Sequence, residues 1–306
     1  MNYKIDFMKH YKKFFLYSSI ISIVGILTIA IFGMNYGVDF KAGTTLDITI
    51  GERVEKANVE GIIRTTLPEV KDVILTLGSN NERVTARFDK VLTQQESNKV
   101  ITAFEEKFGE QVTYEENTVD VTMAKELAKK ALMAVLYASI AIIIYVSIRF
   151  EWRFAVAAIV ALLHDALITI SIFSIFRLEV NLPFVAAVLT IIGYSINDTI
   201  VIFDRVRENV RFAKLKTFGD LVKLVNSSIW QTLTRSINTV VTVLFAAAAL
   251  FIFGSEAIRL FSLAMIIGLL CGVYSSIIIA CPIWLLLKNK SLNAKKATSP
   301  TPIAKP

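Results

Sequence analysis

The stretch Gly193-Tyr194-Ser195-Ile196-Asn197-Asp198-Thr199-Ile200-Val201-Ile202-Phe203-Asp204-Arg205 places a carboxylate, Asp198, in a run otherwise apolar enough to cross a membrane. A charge in a spanning helix is disfavoured by about 3 kcal/mol on insertion scales, so such a residue reads first as an ion or proton site. Tyr194 and Ser195 precede Asp198 by four and three residues, a spacing that predicts one shared helical face, with Asn197 beside it.

The rest of the chain fits a membrane setting. Of 306 residues, 54% are hydrophobic, and the mean hydropathy is +0.57, above what a soluble domain carries. Apolar runs predict six spanning helices, at 14–34, 127–148, 154–176, 183–203, 234–253 and 260–287. The first is too long for a removable signal peptide and lacks a small-residue cleavage site, so it reads as an uncleaved anchor. Cys271 and Cys281 lie ten positions apart in one run, roughly 15 Å along a helix, too far for a disulfide within it.

Basic residues set the expected orientation. Lys4, Lys9, Lys12 and Lys13 precede the first span, Arg149 and Arg153 follow the second, and Arg205, Arg207, Arg211, Lys214, Lys216 and Lys223 follow the fourth. The opposite short loops hold only Arg177 and Arg259, and the tail adds Lys288, Lys290, Lys295 and Lys296. By the positive-inside rule both termini (1–13 and 288–306) and the 204–233 loop are cytoplasmic, which accounts for the net charge of +7 without nucleic-acid binding. The tail 297–306, with three prolines, reads as disordered. Asp204 and Arg205 fall at the expected boundary, where solvation satisfies charge and a structural role suffices.

Residues 35–126 form the one sizeable soluble segment and are expected outside. Strands are predicted at 44–50, 70–77, 83–88 and 112–121 and helices at 54–67 and 93–108, with a turn at Gly78-Ser79-Asn80-Asn81. This βαββαβ order suggests a ferredoxin-like α+β domain. It holds no His, no Cys and no nucleophile with a base, so a contact surface is expected rather than an enzyme.

Tyr36-Gly37-Val38-Asp39-Phe40-Lys41-Ala42-Gly43-Thr44, just after the first span, resembles a family motif of the form GVDFKGGT, with Ala42 where the motif has its first glycine. Gly193 to Asn209 and Gln231-Thr232-Leu233-Thr234-Arg235-Ser236-Ile237-Asn238-Thr239 likewise resemble signatures of the SecF branch of the SecD/SecF family, accessory to the Sec protein-export machinery. The resemblance covers residues 5–287. It implies a six-helix half of a resistance-nodulation-division type transporter, completed by SecD into a pseudo-twofold twelve-helix unit. It also implies association with the SecY, SecE and SecG translocon, with YajC and YidC as further partners, and inward cation flow that makes late export directional. The essential family carboxylate and arginine fall on Asp198 and Arg235. The motif residues Gly37, Asp39 and Gly43 are implied to matter for coupling helices to the outer domain, although turns and loop contacts explain them as well.

The residues alone support a cation path and leave alternatives open. Thr232, Arg235, Asn238, Thr239 and Thr242 recur at spacings of three and four, so Arg235 is expected to face Asp198, and protonation of Asp198 would dissolve that pair. A static buried pair that fixes helix register is the alternative. His164 and Asp165 lie mid-helix in the third span, as a proton relay or as a hydrogen-bonded structural pair. Ala264, Gly268, Gly272 and Ser276 form a small-residue stripe suited to close packing. No metal site or cofactor is expected, and the coupling ion is H⁺ or Na⁺. The competing functions are half of a small-molecule exporter, for which one outer domain of about ninety residues is small, and a receptor subunit without ion flux, which would not need Asp198. No nucleophile set, metal cluster or phosphate loop proposes an enzyme.

Overall fold

The computed structural model describes residues 6–70, 73–78, 81–109, 111–213, 215 and 217–298. Lys4, residues 71–72 of an expected strand, the turn residues Ser79 and Asn80, Lys214, Lys216 and the tail 299–306 lie outside the described residues. In chain order, helix α1 (Tyr11–Phe32) leads through β1 (Asn35–Tyr36) and the single turn α2 (Val38–Lys41) into a small domain. That domain comprises β2 (Gly43–Thr49), α3 (Lys56–Thr66), β3 (Val73–Leu77), β4 (Arg83–Phe88), α4 (Gln94–Phe108) and β5 (Thr113–Val119). The chain returns through α5 (Val121–Arg149), α6 (Trp152–Ile175), β6 (Glu179–Val180), α7 (Leu182–Phe212) and α8 (Phe218–Phe253). A last rod joins α9 (Glu256–Ser275), a π-helical turn at Ser276–Ala280 and α10 (Cys281–Thr298). Among the described residues, six helical rods are long and apolar enough to cross a membrane, so the protein is a mostly helical, multi-pass membrane protein with a small sheet domain.

The domain's sheet is antiparallel, in the order β3-β4-β2-β5. Strand alternation sends Leu46, Ile48, Val84, Ala86 and Phe88 to one face, where they meet Val59 and Ile63 of α3 and Val100 and Phe104 of α4 in a closed apolar core. A capping box between Thr93 and Glu96 starts α4; Lys90 and the Thr93 cap together hold the Glu96 carboxyl down at about 2. The opposite face carries Thr45, Asp47, Thr85 and Glu115, which look onto the membrane helix ends across cavities of 490 and 210 Å³.

In the membrane part, α6, α7 and the sixth rod form the interior. Half or more of each apolar window is buried there, against 11% for α1, 6% for α5 and 17% for α8. Phe154 stacks on Trp284 at 5.0 Å and meets Phe203 at 4.9 Å, closing one end of this core. Both cysteines are free thiols.

Several boundaries differ from expectation. The segment 204–233, expected as a loop, is helical over 204–212 and 218–233, and α10 runs to Thr298 through part of the expected tail. Hydropathy marks where a helix leaves lipid, and it does not end the helix. Helix-forming Arg and Glu carry α7 on, with Arg205 and Glu208 paired at 2.9 Å, until a fresh capping box of Thr217 and Asp220 starts α8. Similarly, α5 begins at Val121 because the Asp120 side chain accepts the Met123 amide, which shortens β5 to Thr113–Val119.

Candidate functional site

The seam between α7 and α9 is built one turn at a time. A side chain on Gly268 would lie 2.4 Å from Ile191, and one on Gly272 would lie 3.2 Å from Ser195 Cβ. One turn on, Ser276 and Thr199 hydroxyls meet at 2.7 Å. The small-residue stripe thus packs against the face of α7 that carries Ser195, Asp198 and Thr199.

Asp198 is 7% exposed, and its Oδ2 has no hydrogen-bond partner. An unpaired buried carboxylate oxygen is costly. Ser236 of α8 lies beside it and its hydroxyl is likewise unpartnered. Arg235 contributes favourable electrostatics but makes no ion pair with Asp198. The expected direct pairing therefore gives way to a looser arrangement with a geometric cause. The buried side of α8 is Thr232, Ser236 and Val240, four residues apart, so Ser236 faces inward. Arg235, Asn238 and Thr242 stand on the exposed side, and Thr239 is half-buried. The hydroxyls of Thr239 and Thr242 donate to carbonyls of their own helix, at 2.9 and 2.8 Å. On α7 the shared face also splits. Ser195 is buried with Asp198, while Tyr194 and Asn197 are exposed.

His164 and Asp165 are brought into the interior. Asp165 is 1% exposed; its Oδ2 accepts the hydroxyls of Ser195 and Ser275, both at 2.6 Å, and its Oδ1 lies 3.2 Å from His164 Nδ1. Sequence inspection missed Ser275 and Ser236. Each is a serine in an apolar spanning run, and only the rotation of its helix reveals what it faces. It also missed buried Asn226, whose side-chain oxygen accepts the Phe7 amide at 3.0 Å and ties the N-terminal segment to α8. Asp204 and Arg205 are half-exposed, with Asp204 3.5 Å from Arg149.

The motif after α1 forms a clip. The Gly37 amide donates to Val180 at 2.9 Å as β1 pairs in parallel with β6. Asp39 is buried. Its Oδ2 accepts the Leu182 amide at 2.8 Å, and its Oδ1 accepts the Asn117 side-chain amide at 3.1 Å, joining the start of α7 to β5. Arg87 of β4 binds Glu179 at 2.9 Å. Gly43 has φ +140°, and any side chain there would strike the Phe88 carbonyl at 2.3 Å.

Comparison with known proteins agrees with these observations. The family model described as "Protein export membrane protein SecD/SecF, C-terminal" matches residues 99–290, and the "SecD/SecF GG Motif" matches residues 28–50. The protein translocase subunit SecF of Alicyclobacillus acidocaldarius is 43% identical over 97% of both chains. The protein translocase subunit SecDF of Bacillus subtilis is 46% identical over 96% of this chain, which spans 40% of that relative. The crystal structure of SecDF from Thermus thermophilus, described as a translocon-associated membrane protein, superposes with a TM-score of 0.81 at 32% identity, over 94% of this chain and 39% of that one. The chain belongs to the SecD/SecF family of protein-export membrane proteins.

Proposed function

We propose that this chain is the SecF half of a SecD/SecF machine that uses inward cation flow to drive late, ATP-independent steps of protein export. The observation that carries it is Asp198, a buried carboxylate with an unpartnered oxygen on one of the innermost helices. Ion-coupled carriers need such a group, which binds a cation from one side and releases it to the other. Arg235, Asn238, Tyr194 and Asn197 stand on an exposed face that lipid would not satisfy. A six-helix SecD half set against that face would enclose them and bring Arg235 within reach of Asp198.

On this reading the chain lies in the cytoplasmic membrane with both termini inside. The sheet domain lies outside, where its strand order supports a ferredoxin-like sandwich that contacts emerging polypeptide. SecD and the SecY, SecE and SecG translocon are the partners, with YajC and YidC beside them. The coupling ion is a proton, with sodium the alternative. No covalent chemistry is assigned to the chain.

The test is completion of secretion of a pulse-labelled exported protein, with the membrane potential intact, in cells whose only copy carries Asp198→Asn at wild-type membrane levels. The isosteric change keeps shape and removes titration. Late export is expected to stall as in a deletion strain; normal export would mean that Asp198 is architecture in a subunit that works by binding.

A further inference from the structure

A second buried carboxylate stands apart from Asp198. Asp165 ties three elements together. It sits on α6, its Oδ2 accepts Ser195 from α7 and Ser275 from the last residue of α9, and its Oδ1 meets His164. The residue after Ser275 opens the π-helical turn Ser276–Ala280, five buried residues in which the helix ladder loses its regular register. Such turns are uncommon and are frequently found at functional sites.

The chemistry at this junction has two alternatives. Ser275 has one hydroxyl proton and two acceptors within reach, Asp165 Oδ2 at 2.6 Å and the Gly272 carbonyl at 3.2 Å. The Gly272 carbonyl is also the one that receives the Ser276 amide, at the mouth of the π turn. With Asp165 ionised, both serine hydroxyls point at Oδ2 and His164 donates to Oδ1. When Asp165 takes up a proton, it needs an acceptor of its own, and its two serine donors lose their charged target. Ser275 then turns its proton to the Gly272 carbonyl, and its oxygen accepts from Asp165. One proton is bound and one hydroxyl rotates. The other titratable groups around Asp165 are Cys271 and Tyr274 of α9, and Asp198 one turn further along α7.

We propose that Asp165, Ser195 and Ser275 form a proton-binding site separate from Asp198, whose occupancy is read by the π turn at Ser276–Ala280 and so sets the register of α10 against α6. A shift from π to α geometry removes one residue from the turn and rotates everything beyond it, which would move Trp284 from its stack on Phe154. The proposal rests on the ion-driven reading for its use and not for its chemistry.

The experiment is infrared spectroscopy of the full chain in lipid across a pH series, with amide hydrogen exchange measured in parallel. Acidification is expected to raise a protonated-carboxyl carbonyl band that persists in Asp198→Asn and is lost in Asp165→Asn. At the same midpoint, protection of the Ser276–Ala280 amides, taken relative to the intrinsic exchange rate at each pH, changes by roughly fivefold, the ratio one net hydrogen bond supplies. Ser275→Ala keeps the band and abolishes the exchange response. Should Asp165→Asn fail to fold, Ser195→Ala keeps the carboxylate and removes one donor, so it must displace the midpoint. A band that survives Asp165→Asn, protection at 276–280 that stays constant across the pH series, or an unmoved midpoint in Ser195→Ala would each overturn the proposal. So would a response that follows sodium instead of pH. Failure of Asp198→Asn to impair export would leave all of these results standing, so the two proposals fail separately.

Discussion

Ala42 holds φ +70° and ψ 154°, a region essentially reserved for glycine. This is the position where the family motif has its first glycine, and the strain shows why. Ala42→Gly relieves it at the loss of one methyl packed on Val119 and Ala124, and is expected to stabilise the protein by about 1 kcal/mol. A thermal midpoint that falls instead would show that the methyl contact outweighs the strain. Asp39 shows the opposite case. Asp39→Ala strips the Leu182 amide and the Asn117 side chain of their acceptor, and costs about 1–2 kcal/mol. Urea titration reads the loss directly, and an unchanged midpoint would remove Asp39 from the clip. At this scale Asp198 was legible from composition alone, because a carboxylate in an apolar run is rare. Its neighbour was not, because one residue turns a helix face by about 100°, so Ser236 and not Arg235 points inward.

Elements were legible where apolar length defines them, and their ends were not. Thr217, Asp120 and Asn181 start α8, α5 and α7 by side-chain caps that hydropathy does not weigh. The two-residue strands β1 and β6 pair across more than a hundred residues of intervening chain, a contact that no local pattern announces. The small-residue stripe of α9 was visible, and the structure supplies its counterpart on α7. A bulkier side chain at its middle must push the helices apart. Gly268→Leu is expected to cost roughly 1–3 kcal/mol as overpacking against Ile191, seen as a lowered thermal midpoint. Gly61→Ala on α3 meets open space and should gain about 0.5–1 kcal/mol. Equal effects at both sites would show that backbone entropy, and not helix contact, governs Gly268.

Over the whole molecule, the sheet domain and the membrane helices meet through acidic groups whose state follows pH. Burial pushes the Glu179 carboxyl above its ordinary value, with Arg87 opposing and Asp39 and Asp47 adding to it. Burial likewise raises Asp47, against the hydrogen bond from Thr85. For both, the folded state holds its proton more tightly than the unfolded chain. Stability is therefore greatest below the ordinary carboxylate range and declines as pH rises through the raised values. A thermal scan should find a higher midpoint in mild acid than at neutral pH, and Glu179→Gln should flatten the slope; a midpoint that climbs with pH would contradict this. The exposed polar side of α8 makes a second whole-molecule prediction. A cysteine at Asn238 should crosslink to a SecD-type chain in the membrane, whereas labelling by a lipid-soluble reagent alone would place that face in lipid.

The small domain also leaves and rejoins the membrane part at one point, because Gly43 and Val119 are paired neighbours on β2 and β5. A segment whose two ends meet side by side is topologically a plug-in cassette. Residues 44–118 could be exchanged for the corresponding cassette of a relative without rerouting any helix. Among the fittings the replacement must bring are an amide in the place of Asn117, to meet Asp39, and a cation in the place of Arg87, so that Glu179 still has something to grip.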